Sequence, residues 1–330
     1  MRFGIAAAGN WIIDRVKVID VYPAQDALAN ILEESSGNGG APYNVLKDLA
    51  KLQLGVELQG IGLVGNDPDG GRILRDCEHF GINSSLLSKT DHAPTSYTDV
   101  MTVKSTGRRT FFHQRGANVL LRTQHFDFDR IRAGHLHLGY LLLLDSLDEA
   151  DEVYGTAAAR VLAMAKENGL TTSIDVVSED SDRFRNTVQP ALKYADIVFM
   201  NEFELSRTSG ISFGNADEAR LLQAGEVLMG GIEGQLVVHT PDRVFAFSND
   251  GKRTEHGSVR MPDEKIKGAV GAGDAFAAGY LTGFVKQERM EDCLRAGVSV
   301  AASSLLASDS SSGVLPMQQC LALGEEYGYH

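Results

Sequence analysis

The chain has 330 residues, 43% of them apolar, which suits one large α/β domain with an appendage. Its 31 basic and 44 acidic residues give a net charge of −13, which argues against a nucleic-acid or anionic-membrane partner because both need a basic patch. Three cysteines, far apart and odd in number, exclude a disulfide framework and a CxxC metal site. A reducing, cytoplasmic location is therefore expected, and neither a signal peptide nor a membrane-spanning run is evident.

Strand-like apolar runs alternate with helix-like amphipathic stretches along most of the chain. The predicted strands are 2–9, 56–64, 134–138, 171–177, 195–200 and 235–239. The predicted helices are 42–54, 70–80, 148–168, 184–194, 216–230, 273–287 and 290–307. This alternation predicts an α/β fold with a mostly parallel central sheet and helices on both faces.

Two segments interrupt the alternation. Residues 11–33 lack a clear amphipathic helix in their first half, and residues 94–115 contain two β-rich runs around a turn near Gly107. Together they predict a small β-sheet beside the main fold, which would act as a lid and whose exposed face is a candidate homodimer contact. We expect a single domain over 1–330 that includes these two lid segments.

The run Gly271-Ala272-Gly273-Asp274 stands directly before a strongly apolar helical pattern. Small residues permit a tight turn and close ligand approach, while free N–H groups and the helix dipole favour an anion. A carboxylate in the same turn suits phosphoryl transfer, with Asp274 as the base for a substrate hydroxyl. The alternative is that Asp274 only stabilises the helix dipole, worth about 0.3–1 kcal/mol.

Gly39 and Gly40 precede the first predicted helix, and Asn44 lies in its first turn. The glycines permit close ligand approach, and the Asn44 amide offers a donor and an acceptor, which suits a polyol. The alternative is a loop with an ordinary helix cap.

Asn201 and Glu204 follow the strand at 195–200, at the carboxyl end where α/β sheets bind ligands. Three residues apart, they share one face of a helical turn, and their oxygens suit hydrated Mg²⁺. The alternative is a helix start with ordinary acidic bias.

Two other patterns are weaker evidence for a functional site. The glycines of GIGLVG at 60–65 fit a dinucleotide fingerprint formally, but no helix opens at the last of them, and the chain contains no P-loop. His135 and His137 alternate on one strand, where core histidines with satisfied hydrogen bonds are more common than metal ligands.

Taken together and in this order, the motifs resemble the ribokinase-like (PfkB) carbohydrate kinase family over nearly the whole chain. The matching segments are GNWIID at 9–14, GGAPYN at 39–44, GLVGNDPDG at 62–70, PTS at 94–96, RGAN at 115–118, NEFE at 201–204 and GAGDAFAAG at 271–279. The resemblance implies a ribokinase-like fold and an enzyme that transfers the γ-phosphoryl group of Mg·ATP to a monosaccharide hydroxyl.

The resemblance also implies residue roles. Asp274 would be the base, and the turn Gly271-Ala272-Gly273 with the Asp274 amide would bind ATP phosphate and form the anion hole. Asn201 and Glu204 would hold the water shell of Mg²⁺. Sugar binding is implied for Asp14, Gly39, Gly40 and Asn44. The adenine would lie near residues 296–304.

One departure from the family pattern concerns a monovalent cation. Many members carry Asp-Thr just before the glycines, and that Asp contributes to a monovalent-cation site. The corresponding positions here are Gly268 and Ala269. The departure weakens the expectation of potassium activation and leaves Asp274 and the anion hole unaffected.

The substrate stays open among several classes. The GGAPYN form resembles the fructokinase-like branch and favours an unphosphorylated fructose- or ribose-like sugar. Basic residues of the lid segments would suit a sugar phosphate: Arg15, Lys17, Arg108, Arg109 and Arg115. Trp11, Tyr97 and Phe112 would suit a nucleoside. A catalytically weak sugar- or nucleotide-binding sensor is a further alternative, motivated by Gly268.

Overall fold

The structure is a computed structural model that describes residues 4–214 and 217–330. Its strands are β1 (Ile5–Gly9), β2 (Ile12–Ile19), β3 (Ile31–Gly39), β4 (Leu58–Gly65), β5 (Asn83–Thr90), β6 (Ser96–Val103), β7 (Arg109–Gln114), β8 (His135–Leu141), β9 (Ala150–Asp151), β10 (Gly155–Thr156), β11 (Thr171–Val176), β12 (Ile197–Asn201), β13 (Gln235–His239), β14 (Arg243–Ser248) and β15 (Arg253–Gly257). Residues 2 and 3 of the first predicted strand lie outside the described residues.

The helices follow the same chain order. They are α1 (Ala41–Lys51), α2 (Pro68–His79), α3 (Asp145–Asp148), α4 (Ala157–Glu167), α5 (Phe184–Thr187), α6 (Gln189–Leu192), α7 (Glu202–Ser209), α8 (Glu218–Met229), α9 (Ala272–Val285), α10 (Met290–Ser304) and α11 (Met317–Tyr327). Residue 216, the first of one predicted helix, lies outside the described residues.

Within the described chain, the large sheet has nine strands in the order β15-β14-β13-β12-β11-β8-β1-β4-β5. The strands from β13 to β5 are all parallel, and β14 and β15 add an antiparallel edge. This confirms the predicted mostly parallel α/β fold. The parallel strands therefore end along one edge of the sheet, which is where such folds place their ligands.

Side chains of the central strand divide the core between the two faces of the sheet. Ile5 and Ala7 of β1 belong to a cluster with α1, α2, α9 and α10, whereas Ala6 and Ala8 belong to a cluster with α4, α7 and α8. The division follows from the two-residue period of a strand. Both faces are buried, which explains why β1 is apolar throughout.

A second sheet of four strands, β3-β2-β6-β7, forms within the described residues from the two β-rich segments. β2 and β6 run parallel, and the outer strands pair with them antiparallel. The predicted turn near Gly107 joins β6 to β7. β3 extends to Gly39, so the small sheet leads directly into α1.

Two predicted helices are wrong in part. The helix predicted for 148–168 begins only at Ala157, because the chain first forms α3 and a short hairpin of β9 and β10. Gly155 has a φ of 88° in that hairpin, and the Thr156 hydroxyl then caps α4. The helix predicted for 184–194 is two four-residue helices, with Pro190 in the first turn of the second.

Candidate active site

The turn before α9 has the geometry of an anion site. Gly271 takes a φ of 73°, and a Cβ there would stand 2.7 Å from the Ser310 carbonyl oxygen, so only glycine fits. The amides of Gly273 and Asp274 precede the first intrahelical donor, the Ala275 amide, which bonds the Gly271 carbonyl, and so have no partner within the helix. The Ala272 amide makes a long 3.5 Å contact with the Ala269 carbonyl. The predicted anion-hole amides therefore lie together at one helix N-terminus.

The Asp274 carboxylate is 3% exposed and held on one side only. Its Oδ2 accepts hydrogen bonds from Asn44 Nδ2 at 2.8 Å and from the Tyr140 hydroxyl at 2.6 Å. Its Oδ1 is buried and has no hydrogen-bond partner among the described residues. Burial raises the pKa of Asp274 to about 6, and the two hydrogen bonds oppose that rise. One oxygen is thus fixed and the other is available.

Asn44 is fully engaged within the protein. Its Oδ1 accepts a 2.6 Å hydrogen bond from Asn38 Nδ2, which also donates to the Ser311 hydroxyl at 2.8 Å. With Nδ2 bound to Asp274, the Asn44 side chain connects that carboxylate to Asn38 and Ser311. The geometry therefore adds a positioning contact to the residue predicted to bind the sugar.

The two predicted sugar-site glycines lie where a side chain would not fit. Gly40 caps α1 with a φ of 85°, and a Cβ there would stand 2.0 Å from the Asn10 carbonyl oxygen. A Cβ on Gly39 would stand 2.4 Å from an oxygen of the Asp14 carboxylate. The Asp14 side chain thus lies against the start of the loop into α1.

The electrostatic environment ties Asp14 to the rest of the site. Burial and the charge of Asp274 raise the pKa of Asp14 to about 7, while a hydrogen bond from Thr98 opposes the rise. Asp14 and Asp274, 260 residues apart in sequence, therefore lie within electrostatic reach of each other.

Asn201 and Glu204 form a reciprocal capping box at the start of α7. The Asn201 side chain accepts from the Glu204 amide at 2.9 Å, and Glu204 Oε2 accepts from the Asn201 amide at 2.9 Å. Glu204 Oε1 also accepts from Asn201 Nδ2 at 2.8 Å and the Ser178 hydroxyl at 2.7 Å. Burial raises the pKa of Glu204 to about 7, and the charge of Asp274 contributes. The pair thus forms a helix start, as the alternative interpretation predicts, and Glu204 also lies within electrostatic reach of Asp274.

Three further residues of the site were not predicted from the sequence. Tyr140 is the penultimate residue of β8 and donates a hydrogen bond to Asp274, and Asp175 lies near the end of β11. Burial raises the pKa of Asp175 well above its ordinary value, as do the charges of Asp274 and Glu204. His239 ends β13, lies 3.4 Å from the Cβ position of Gly273, and has its pKa lowered to about 4 by burial. All three follow the strand-end rule, which would have found them.

A cavity of about 900 Å³ joins these groups. It is lined by the 271–274 turn, Asn201, Glu204 and His239, and by α10 residues of the predicted adenine region, Val298, Ala301 and Ala302. The predicted sugar residues do not line this cavity; Asn44 and Asp14 reach it through their interactions with Asp274. Asp274 thus lines the cavity and also bonds Asn44, which is not part of the lining.

Residues 8–316 match the pfkB family carbohydrate kinase description. The chain belongs to this family. It is 30% identical to the fructokinase of Escherichia coli over 280 residues, which covers 80% of this chain and 83% of that protein. It is 28% identical to the ATP-dependent ribose-1-phosphate kinase of Halopiger xanaduensis, which covers 88% of each.

A solved structure of Arabidopsis thaliana ribokinase complexed with ribose and ATP has the same fold. Its TM-score is 0.77 at 20% identity, covering 98% of this chain and 99% of that chain. The protein is therefore a carbohydrate kinase, a phosphotransferase that acts on a sugar hydroxyl, and its family uses ATP.

The described residues contain neither a candidate membrane-spanning helix nor a cluster that could bind a metal ion directly. None of the helices there combines the length and apolarity needed to cross a membrane. No group of three or more His, Cys, Asp or Glu side chains in residues 4–214 and 217–330 is arranged to hold a metal ion directly.

Proposed function

We propose that this kinase transfers the γ-phosphoryl group of Mg·ATP to an unphosphorylated fructose- or ribose-like monosaccharide, with Asp274 as the base. The observation that carries the proposal is that the two oxygens of the Asp274 carboxylate differ in their hydrogen bonding. Oδ2 is fixed by Asn44 and Tyr140, and Oδ1 is unpartnered beside the helix N-terminus. A sugar hydroxyl between Oδ1 and the turn would face both its base and the anion site.

In this mechanism Asp274 accepts the proton of the attacking sugar hydroxyl. The hydroxyl oxygen bonds to the γ-phosphorus as the bond between that phosphorus and ADP breaks. The amides of Gly273 and Asp274 stabilise the negative charge that develops on the transferring group, with the Ala272 amide beside them. With its pKa raised to about 6, Asp274 is ionised near neutral pH and yet a better base than an ordinary aspartate.

The site also fits a divalent cation held through water. The pKa values of Asp175 and Glu204 are both raised partly by the charge of Asp274, so a cation among them would relieve mutual repulsion. Both Glu204 oxygens already accept hydrogen bonds from Asn201 or Ser178, which favours contact through water molecules. Mg²⁺, when bound, neutralises charge on the phosphates.

Charge pairing on the small sheet supports a neutral sugar. Arg15 pairs with Asp69 at 2.8 Å, Lys17 pairs with Asp99, and Arg115 pairs with Asp145 at 2.9 Å. A phosphate would have to compete with these carboxylates for each of these three cations, whereas Arg108 and Arg109 form no ion pair with the described residues. The similarity to the Halopiger enzyme nevertheless favours a sugar-phosphate kinase as the second candidate.

The predicted lid dimer is also part of the proposal. Apolar side chains exposed on the outer strands of the small sheet support such a contact: Ile31, Leu32, Phe111 and Phe112. Sedimentation velocity of the wild type and of a Leu32→Ser, Phe112→Ser double variant tests it. We expect a dimer that the double substitution weakens; a wild-type monomer at tens of micromolar would exclude it.

ADP release from Mg·ATP across ketoses, aldoses, nucleosides and sugar phosphates tests the activity itself. We expect turnover on a neutral monosaccharide and a fall of about 10²-fold or more in Asp274→Asn. Turnover confined to sugar phosphates would select the second candidate. Wild-type turnover retained in Asp274→Asn would show that the base is wrongly assigned.

A further inference from the structure

The segment Ser308–Gly313 supports the turn that opens α9. A Cβ on Gly271 would stand 2.7 to 2.8 Å from three atoms of Ser310, and a Cβ on Gly268 would stand 3.1 Å from the Ser308 Cα. The segment and the turn are thus in direct contact along their backbones. Displacement of the segment would move the proposed anion-binding amides.

The segment is held by three side chains that converge on Ser311. Asp309 accepts hydrogen bonds from the Ser311 and Ser312 amides at 3.1 and 2.7 Å. Asn38 donates to the Ser311 hydroxyl at 2.8 Å. Lys51 Nζ, at the end of α1, donates to the Ser311 and Ser312 carbonyl oxygens at 2.7 and 2.8 Å. A cation thus binds two backbone carbonyls of the segment.

A buried carboxylate lies behind this ammonium group. Asp48 is three residues before Lys51 on α1 and 0% exposed, and neither of its oxygens has a hydrogen-bond partner among residues 4–214 and 217–330. Burial raises the pKa of Asp48 well above its ordinary value, and nearby Ser311, Lys51 and Lys47 oppose the rise. Burial thus favours the neutral form of Asp48, and the charges of Lys51 and Lys47 are the cationic influences that favour its ionised form.

Carbonyl oxygens around a single positive charge, with a carboxylate behind, have the chemistry of a monovalent-cation site. Here the charge is covalently attached to the chain. The same segment lies against Gly268, the position where the family pattern would supply an Asp for a diffusible cation.

We propose that Lys51, through its hydrogen bonds to the Ser311 and Ser312 carbonyl oxygens, is a built-in cation that replaces a diffusible one and holds the segment Ser308–Gly313 against the Gly268–Gly271 turn. Lys51 is thereby a positioning residue for phosphoryl transfer, acting through the segment on the amides at the start of α9. A second route runs from Ser311 through Asn38 and Asn44 to Asp274. The kinetic part of this inference rests on the proposed function.

The test compares Lys51→Met with Lys47→Met, a matched control. Lys47 is on the same helix and also acts on the charge of Asp48, but its ammonium bonds Asp76 at 2.9 Å. We expect kcat to fall about tenfold or more in Lys51→Met relative to the control. Methylammonium should restore part of that loss, and Lys51→Arg should retain most activity.

Wild-type turnover should be equal in K⁺ and tetramethylammonium at matched ionic strength. Activation of the wild type by K⁺ would overturn the inference, as would a Lys51→Met kcat equal to that of the control.

Amide hydrogen exchange of 308–313 separates this inference from the proposed function, since it needs no turnover. Faster exchange there in Lys51→Met than in Lys47→Met supports the proposal that Lys51 holds the segment, even if no sugar is phosphorylated. Unchanged exchange, together with an active wild-type kinase, would refute the proposed role of Lys51 and leave the proposed function intact. If Lys51→Met does not fold, Lys51→Arg and the wild-type cation comparison still decide.

Discussion

Replacing Asp274 by Asn should change the stability of the protein in a pH-dependent way, with the variant gaining on the wild type as the pH rises. The pKa of Asp274 is raised from 3.8 to about 6 in the folded state, with burial as the main cause. A raised acid pKa contributes stability below the unfolded value of 3.8, and that contribution is lost as the pH rises through about 6. At 1.36 kcal/mol per pKa unit, the ionised carboxylate costs about 3 kcal/mol above pH 7.

Asparagine removes this charge but keeps an acceptor for Asn44 and Tyr140. Its amide nitrogen would occupy the unpartnered Oδ1 position, where a buried donor without a partner costs about 1–3 kcal/mol at any pH. The free energy of unfolding of Asp274→Asn minus that of wild type should therefore rise by about 2 kcal/mol between pH 4.5 and pH 8, since the first ~1 kcal/mol of the change falls below pH 4.5.

Equilibrium urea unfolding at several pH values, without nucleotide, measures this difference. Asp309→Asn is a suitable control, because hydrogen bonds from the Ser311 and Ser312 amides help to lower the pKa of Asp309. Its substitution should act in the opposite direction, most strongly at high pH. A difference between Asp274→Asn and wild type that does not change with pH would refute the electrostatic reasoning.

Three other predictions address the remaining parts of the site. Glu204→Gln keeps a residue able to complete the capping box, so α7 should persist while the Mg²⁺ concentration for half-maximal turnover rises; an unchanged Mg²⁺ titration refutes the metal role. Tyr140→Phe removes a hydrogen bond that lowers the pKa of Asp274, so the acid limb of the kcat/KM profile should move to higher pH; an unmoved limb contradicts this. Gly40→Ala should lower Tm more than Gly81→Ala, whose Cβ would meet none of the described atoms within 4 Å; equal melting temperatures would dismiss the steric argument.

Features that depend on a few neighbouring residues, such as glycine turns and buried strands, could be predicted from the sequence. The turn at Gly271 and the cap at Gly40 both need a positive φ, and glycine before an apolar helical pattern signals each of them. Most of the parallel strands are largely apolar because both faces of the sheet are covered, and all of them except β5 were predicted within a few residues.

The missed elements have a different origin. β14 and β15 form the antiparallel edge of the sheet, and β15 alternates charged and polar residues that resemble a loop. β5 is an opposite edge with few buried side chains, and α11 has a long polar and glycine-containing face. β5, β15 and α11 are held by their neighbours more than by their own pattern, so single-sequence periodicity carries little signal for them, whereas β14 contains a buried apolar run at 244–247 that the prediction overlooked.

The contacts that define the site are longer in range still. Tyr140 and Asp274 are 134 residues apart and Asn44 and Asp274 are 230 apart, so no local pattern could pair them. The sequence motifs identified Asp274 and Asn44 one at a time. Only the folded arrangement shows that both hydrogen bonds fall on the same oxygen and leave the other without a partner.

The same charges that weaken the unliganded fold make the site responsive to its ligands. Asp14, Asp175 and Glu204 each have a pKa raised in part by the ionised Asp274, and burial adds to the rise in every case. Without ligands the site is therefore a set of like charges at low dielectric. This arrangement raises the pKa of each carboxylate and favours protons shared between them. A cation bound near Asp175 and Glu204 would lower all of these pKa values together. Ionisation of the proposed base would thus be coupled, through charge, to binding of that cation, and the anionic phosphates of ATP would act in the opposite direction.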